Sequence, residues 1–237
     1  MTYTIEILRC ERGAKEAYTQ RFLYEPAGPA DTVATALRAI NAREPLLDDQ
    51  GREARPVEWA SSCLQKKCGA CAMRVQGRPR LACDARLSEW KGGLIRLEPL
   101  RKFPVVCDLV VDRSILFENL KTLELWLSGD AALSDARRDD AYEASGCIQC
   151  GLCLEVCPNF YAGGSFFGMS TVPVTARLLS EMSADERAGI ARLYAKHTFE
   201  GCGKSLACRD VCPKHIDTER MLVNANALAV WKRRKEK

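Results

Sequence analysis

Cys147-Ile148-Gln149-Cys150-Gly151-Leu152-Cys153-Leu154-Glu155-Val156-Cys157-Pro158 decides how the second half of this chain is read. Its spacing, C-x2-C-x2-C-x3-C-P, offers three thiolates from one short loop and a fourth one turn later, ahead of a proline. Thiolate sulfur is a soft ligand that suits iron, and this run is the one that wraps a [4Fe–4S] cluster. When a chain carries two such runs, the fourth cysteine of each ligates the other cluster. Cys157 is therefore expected to part from Cys147, Cys150 and Cys153.

A second run lies downstream as Cys202-x2-Ser205-x2-Cys208-x3-Cys212-Pro213, with serine where the template has its second cysteine. By the same exchange Cys212 completes Cys147, Cys150 and Cys153 as a [4Fe–4S] set. That leaves Cys157, Cys202 and Cys208. Three thiolates suit a [3Fe–4S] cluster that lacks iron at the unliganded corner, unless the Ser205 oxygen ligates a fourth iron, the rarer choice beside soft thiolates.

Upstream, Cys63-x4-Cys68-x2-Cys71 with Cys83 after a hairpin-sized gap is the plant-type ferredoxin spacing for a [2Fe–2S] cluster. Gly69 and Ala70 are small enough to let backbone N–H groups approach sulfur, which is one way a protein sets a cluster's potential. A structural zinc site is the competing reading, and x4 followed by x2 is an unusual zinc spacing. Eleven of the thirteen cysteines are thus assigned. Cys10 and Cys107 remain, and are expected to be packing residues, as free cysteines commonly are.

At 237 residues, 47% hydrophobic and 28% charged, the chain should fold into one or two ordinary domains. A net charge of +4, with basic residues interspersed among 31 acidic ones, gives no footprint for nucleic acid. The first residues lack a basic start and apolar core, and no run of eighteen apolar residues occurs. An odd number of cysteines without such a signal points to thiolates on metal in a reducing compartment rather than to disulfides.

Residues 3–10 alternate as a half-buried strand, and 19–24 supply a hairpin partner. Asp31 is expected to cap a helix over 31–43 carrying Val33, Ala36, Leu37 and Ile40 on one stripe. Strands follow at 72–76 and 94–97, the first ended by a turn at Gly77-Arg78-Pro79. After 105–111 the period becomes helical through Ile115, Leu116, Leu120, Leu123 and Leu127. Ser183 with Glu186 fits a capping box, Asp217 caps a last helix, and Lys232 to Lys235 form a basic end. The expected fold is α+β: a β-grasp ferredoxin-like domain over 1–106, then an all-helical domain over 107–237 holding the other two clusters.

On these motifs the chain resembles the iron–sulfur subunit of succinate dehydrogenase and quinol:fumarate reductase. The resemblance rests on the Cys63–Cys83 block with Gly77-Arg78-Pro79 and Leu81-Ala82-Cys83, Asp108-Leu109-Val110-Val111-Asp112, Cys147–Pro158 and Cys202–His215. The stretch Val211-Cys212-Pro213-Lys214-His215 looks most like the fumarate reductase branch. It implies an electron-transfer subunit, with no catalytic residue of its own, between FAD in a flavoprotein subunit and quinone at a cytochrome b-type membrane anchor. Its place would be the cytoplasmic face of the cell membrane. Pro158, Lys214 and His215, next to cluster ligands, would belong to the quinone or cluster surroundings. Departures are informative: Leu64-Gln65-Lys66-Lys67 replaces a segment with Arg and Gly, and its lysines would favour a reduced cluster. Asn159, Ala162 and Gly203 stand where ubiquinone-linked relatives place Ser, Trp and often His, which points toward menaquinone. The competing class is a flavin-linked subunit of the glycolate, glycerol-phosphate or heterodisulfide type, with two complete [4Fe–4S] runs.

Overall fold

Every second residue of the first strand, Tyr3, Ile5, Ile7 and Arg9, is buried, so one face of the sheet is fixed from the first ten residues onward. The computed structural model describes residues 1–14, 16–127, 129–130, 138–182 and 184–231. It divides into two compact units, Met1–Asp112 and the remainder from Arg113 onward. The division lies six residues beyond the boundary expected from sequence, because 105–111 forms a hairpin of the first unit instead of the start of the second.

In the first unit, β1 (Tyr3–Cys10) pairs antiparallel with β2 (Ala17–Tyr24) and parallel with β5 (Leu94–Glu98). With β3 (Ala72–Val75) and β4 (Arg78–Leu81) they form a five-stranded sheet in the order β2-β1-β5-β3-β4. The β3–β4 turn sits at Gln76-Gly77, both with positive φ (51° and 75°), rather than at Gly77–Pro79. Two left-handed residues are what a two-residue hairpin turn requires. Pro79 falls in β4, an edge strand, where a missing N–H is tolerated.

Helix α1 (Val33–Asn41) buries Val33, Ala36, Leu37 and Ile40, as its stripe predicts. Its cap is Thr32, in a reciprocal capping box with Thr35, and not Asp31. Asp31 Oδ2 instead accepts from Tyr24 Oη at 2.7 Å and from the Ala27 N–H at 2.8 Å. A short hairpin, β6 (Val105–Cys107) and β7 (Val110–Val111), completes the unit. Between its strands Asp108 is fully buried among two guanidinium groups and two backbone N–H groups, described below.

The second unit is helical, with no strand among its described residues. Its elements are α2 (Ser114–Thr122), α3 (Arg138–Ser145), α4 (Leu152–Glu155), α5 (Val172–Glu181), α6 (Ala184–Tyr194) and α7 (Thr218–Asn226). π-Helical segments continue α6 over Ala195–Phe199 and α7 over Ala227–Trp231. Helix α2 stops at Thr122, so Leu127 is not on its buried stripe and is exposed. Asp217 caps α7 as expected, accepting from the Arg220 N–H at 3.0 Å. The Ser183–Glu186 box and the basic residues 232–235 lie outside the described residues.

Helix α5 packs against both α3 and α7. The core between them holds Val172, Leu179, Ile190, Tyr194, Met221 and Ala225, and Cys147, Cys153, Cys202, Cys208 and Cys212 pack on its rim. An apolar core thus packs against cysteines from several loops. That placement is what positions the sites.

Candidate metal centres

The Cys63–Cys71 loop alternates ordinary backbone with residues in the left-handed region: Leu64 (φ 54°), Lys66 (φ 59°) and Gly69 (φ 73°). Such alternation turns successive N–H groups inward and makes a concave anion-binding surface. Here they point at sulfur. The N–H groups of Gln65 and Lys67 donate to Cys63 Sγ at 3.3 Å, and that of Lys66 donates to Cys83 Sγ at 3.3 Å. Cys68 Sγ accepts from the N–H of Cys63 and of Ala70, both at 3.5 Å.

These donors pull the Cys63 thiol down to about 7, since they stabilise thiolate. Cys71, at the entry to β3, is pushed the other way, to about 12, by burial. Cys83 sits in a 3-10 turn, Ala82–Asp84, tied back to the loop by the Ala82 N–H on the Cys71 carbonyl at 3.0 Å. Cys63 interacts with Cys68, and Cys71 with Cys83. All four thiols therefore face one another around a single loop, at the end of β3 and β4.

Lys66 does not add free positive charge at this loop. Its Nζ pairs with Asp84 Oδ2 at 2.8 Å, on the residue following Cys83. Only Lys67 of the two lysines is left exposed.

In the helical unit the seven remaining motif cysteines separate into two cavities. One, with an empty volume of about 450 Å³, is lined by Cys147, Cys150, Cys153 and Cys212. The other, of about 470 Å³, is lined by Cys157, Cys202 and Cys208 together with Ser205. Cys157 thus lines the cavity of Cys202 and Cys208, and Cys212 that of Cys147, Cys150 and Cys153. Among the described residues, no group of three His, Cys, Asp or Glu closes tightly enough for a single metal ion.

Burial raises the thiols of the four-cysteine cavity: Cys150 to about 11, Cys153 well above the ordinary thiol range, and Cys147 upward as well. Buried thiols of this kind ionise only when a cation compensates them, so metal binding there releases protons. Gln149, itself left-handed (φ 49°), donates Nε2 to Cys147 Sγ at 3.3 Å and to the Ser170 carbonyl at 2.9 Å. Arg113 Nη1 holds the Cys150 carbonyl at 2.9 Å. Gln149 Oε1 and Ser170 Oγ are buried with no hydrogen-bond partner among the described residues, and both residues line this cavity. The orphaned Ser170 hydroxyl beside converging thiols fits a cavity that receives an inorganic group able to accept its hydrogen bond.

At the three-cysteine cavity burial again raises Cys208. Asn159 Nδ2 donates to the Gly201 carbonyl at 2.7 Å, joining the segment after Cys157 to the one before Cys202. A Cβ on Gly201 would collide with the Phe166 ring, so glycine lets that ring close over the cavity wall. Pro158 lines this cavity and Lys214 the other, both exposed; His215 is exposed, left-handed (φ 53°), and lines neither. Cys107 is buried, but Cys10 is only half-buried. The roles of Gln149, Asn159 and Ser170 were not legible from spacing, because each acts through a contact made by folding.

The chain matches the family model of a 2Fe-2S iron-sulfur cluster binding domain over residues 4–118 and that of a 4Fe-4S dicluster domain over 143–216. It is 37% identical, over 81% of its length and 78% of the relative's, to the succinate dehydrogenase iron-sulfur subunit of Bacillus subtilis (strain 168). It is 32% identical to the fumarate reductase iron-sulfur subunit of Escherichia coli O6:H1, over 68% of this chain and 69% of that one. Its fold matches a chain of the Mycobacterium smegmatis Sdh1 complex in the apo form with a TM-score of 0.75 at 22% identity, covering 100% of this chain and 98% of that one.

Proposed function

The chain belongs to the iron–sulfur subunits of succinate dehydrogenase and fumarate reductase, and we propose that it conducts electrons between flavoprotein FAD and membrane quinone through three clusters. Cys63, Cys68, Cys71 and Cys83 would hold [2Fe–2S]. Cys147, Cys150, Cys153 and Cys212 would hold [4Fe–4S], and Cys157, Cys202 and Cys208 would hold [3Fe–4S]. When bound, such clusters supply one-electron carriers whose potentials depend on ligands, hydrogen bonds and burial.

The observation that carries this reading is the four-to-three division of cysteines between the two helical-unit cavities, with Ser205 on the three-cysteine side. The residues of this chain do three things toward that end. Backbone N–H groups of the left-handed loop steady thiolate at Cys63, Cys68 and Cys83. The apolar core packs against Cys147 and Cys153, and the drier surroundings strengthen the electrostatic effect of every neighbouring dipole. Asn159 and Gly201 brace the three-cysteine mouth.

No described helix is long and apolar enough to cross a membrane, so membrane attachment in this reading is through an anchor subunit at the cytoplasmic face. Asn159, Ala162 and Gly203 in place of Ser, Trp and His favour menaquinone as the acceptor or donor. Pro158, on the three-cysteine cavity, stays assigned to its surroundings; Lys214 adjoins the four-cysteine one. The dicluster description of the second matched family favours a second reading, in which both helical-unit cavities hold four irons. That reading needs a fourth ligand, and only the Ser205 oxygen stands in the slot.

Replacing Ser205 by Cys separates the two. The proposal expects the three-iron paramagnetic signal of the oxidised complex to be lost as a four-iron cluster forms, with quinone reduction slowed. If the wild-type complex shows no oxidised three-iron signal, the second reading holds.

A further inference from the structure

We propose that Ser170 is a hydrogen-bond donor to the inorganic cluster of the four-cysteine cavity and raises that cluster's potential, an inference that rests on the ligand set proposed above. Ser170 lies in the 3-10 turn Met169–Thr171 that leads into α5, and is 2% exposed. Its Oγ has no hydrogen-bond partner among the described residues. A buried hydroxyl left unpaired is costly enough that native folds rarely keep one. The neighbouring hydroxyls of the same segment show the contrast. Thr171 Oγ1 donates to the Gly168 carbonyl at 2.9 Å, and Thr175 Oγ1 donates to the Thr171 carbonyl at 2.9 Å. Ser170 alone of the three is unsatisfied, and it alone lines the cavity of Cys147, Cys150, Cys153 and Cys212.

The residue is also held where a donor would be useful. Its carbonyl accepts Gln149 Nε2 at 2.9 Å, and the same amide nitrogen donates to Cys147 Sγ at 3.3 Å. Gln149 thereby ties the Ser170 turn to the ligand loop through one group. The Ser170 hydroxyl lacks an acceptor here, as Gln149 Oε1 and Thr218 Oγ1 on the same cavity lack partners, and cluster sulfide or cysteine sulfur in the cavity provides one for the hydroxyl. A hydrogen bond to sulfur withdraws electron density and stabilises the more negative, reduced cluster. The hydroxyl therefore favours the reduced form. Its loss makes that cluster harder to reduce.

The test uses the assembled complex, reduced and exchanged into deuterated buffer, with pulsed electron–nuclear spectroscopy of the four-iron signal. Wild type is expected to show an exchangeable proton coupled to that cluster, and Ser170→Ala to lose it with a lower midpoint potential for the four-iron cluster alone. Ser170→Thr, which keeps the hydroxyl, should retain the coupling. A coupling and potential unchanged in Ser170→Ala overturn the inference, since the hydroxyl then serves a trapped water or nothing. Absence of any reduced four-iron signal in wild type would instead overturn the ligand assignment on which it rests.

Discussion

Asn159 Nδ2 lies 3.0 Å from the point where a Cβ on Gly203 would stand. A side chain at 203 would therefore meet the Asn159 amide. A larger residue at 203 presses on the amide that braces Gly201. Gly203→His is expected to break the Asn159–Gly201 hydrogen bond, costing about 1 kcal/mol of local stability, and to broaden the three-iron signal. Adding Asn159→Ser should narrow it again by vacating the space. Equal linewidths in wild type and Gly203→His would show that the brace has no hold on the cavity.

Asp108 anchors the first unit from a buried position. Its carboxylate receives Arg55 through 2.7 and 2.8 Å contacts, Arg9 Nε at 3.0 Å, and the N–H groups of Cys10 and Glu58. Burial alone would raise this carboxyl, but Arg55, Arg9 and the Glu58 N–H hold it low. The Arg9 and Asp108 side chains are both fully buried, so removing one leaves the other charged and dry. Asp108→Ala is expected to destabilise the unit by about 3–5 kcal/mol, read as a lowered denaturant midpoint. A change below about 1 kcal/mol would mean that water or a neighbour replaces the carboxylate at no cost.

Tyr24 makes stability fall at alkaline pH. Burial, then the hydrogen bond to Asp31, push its phenol up to about 12 from the ordinary 10.0. Between those values the folded chain keeps a proton that the unfolded chain has lost, so the stabilisation is complete below about 10 and disappears as pH rises through 12. Absorbance titration should find a phenolate forming late, near 12, that Tyr24→Phe removes. The variant's denaturant midpoint should also vary less between pH 10 and 12. A Tyr24 that ionises near 10 would contradict the buried hydrogen bond.

Cysteine spacing made both halves of the fold legible, together with strands β1, β2, β3 and β5 and the stripe of α1, because ligand loops and periodicity are local patterns. The sorting of Cys157 and Cys212 into opposite cavities was legible for the same reason. Missed features are those that distant segments make together. Thr32 takes the α1 cap because Asp31 is drawn to the Tyr24 hydroxyl across the strand end. Lys66 looked like free charge beside the first loop, yet Asp84, seventeen residues past Lys67, neutralises it. Arg9 breaks an apolar alternation that otherwise reads cleanly, and only the position of Asp108 accounts for it. Ser170 carries no motif at all, and the Asn159 contact with Gly201 is made only on folding.

The most direct test of the account is a redox titration of the assembled complex followed by electron paramagnetic resonance, with iron and zinc counted per chain. Three centres are predicted: a reduced two-iron signal, a reduced four-iron signal and an oxidised three-iron signal, with about nine irons and no stoichiometric zinc. Two four-iron clusters without an oxidised three-iron signal, or a silent protein carrying zinc, would contradict it.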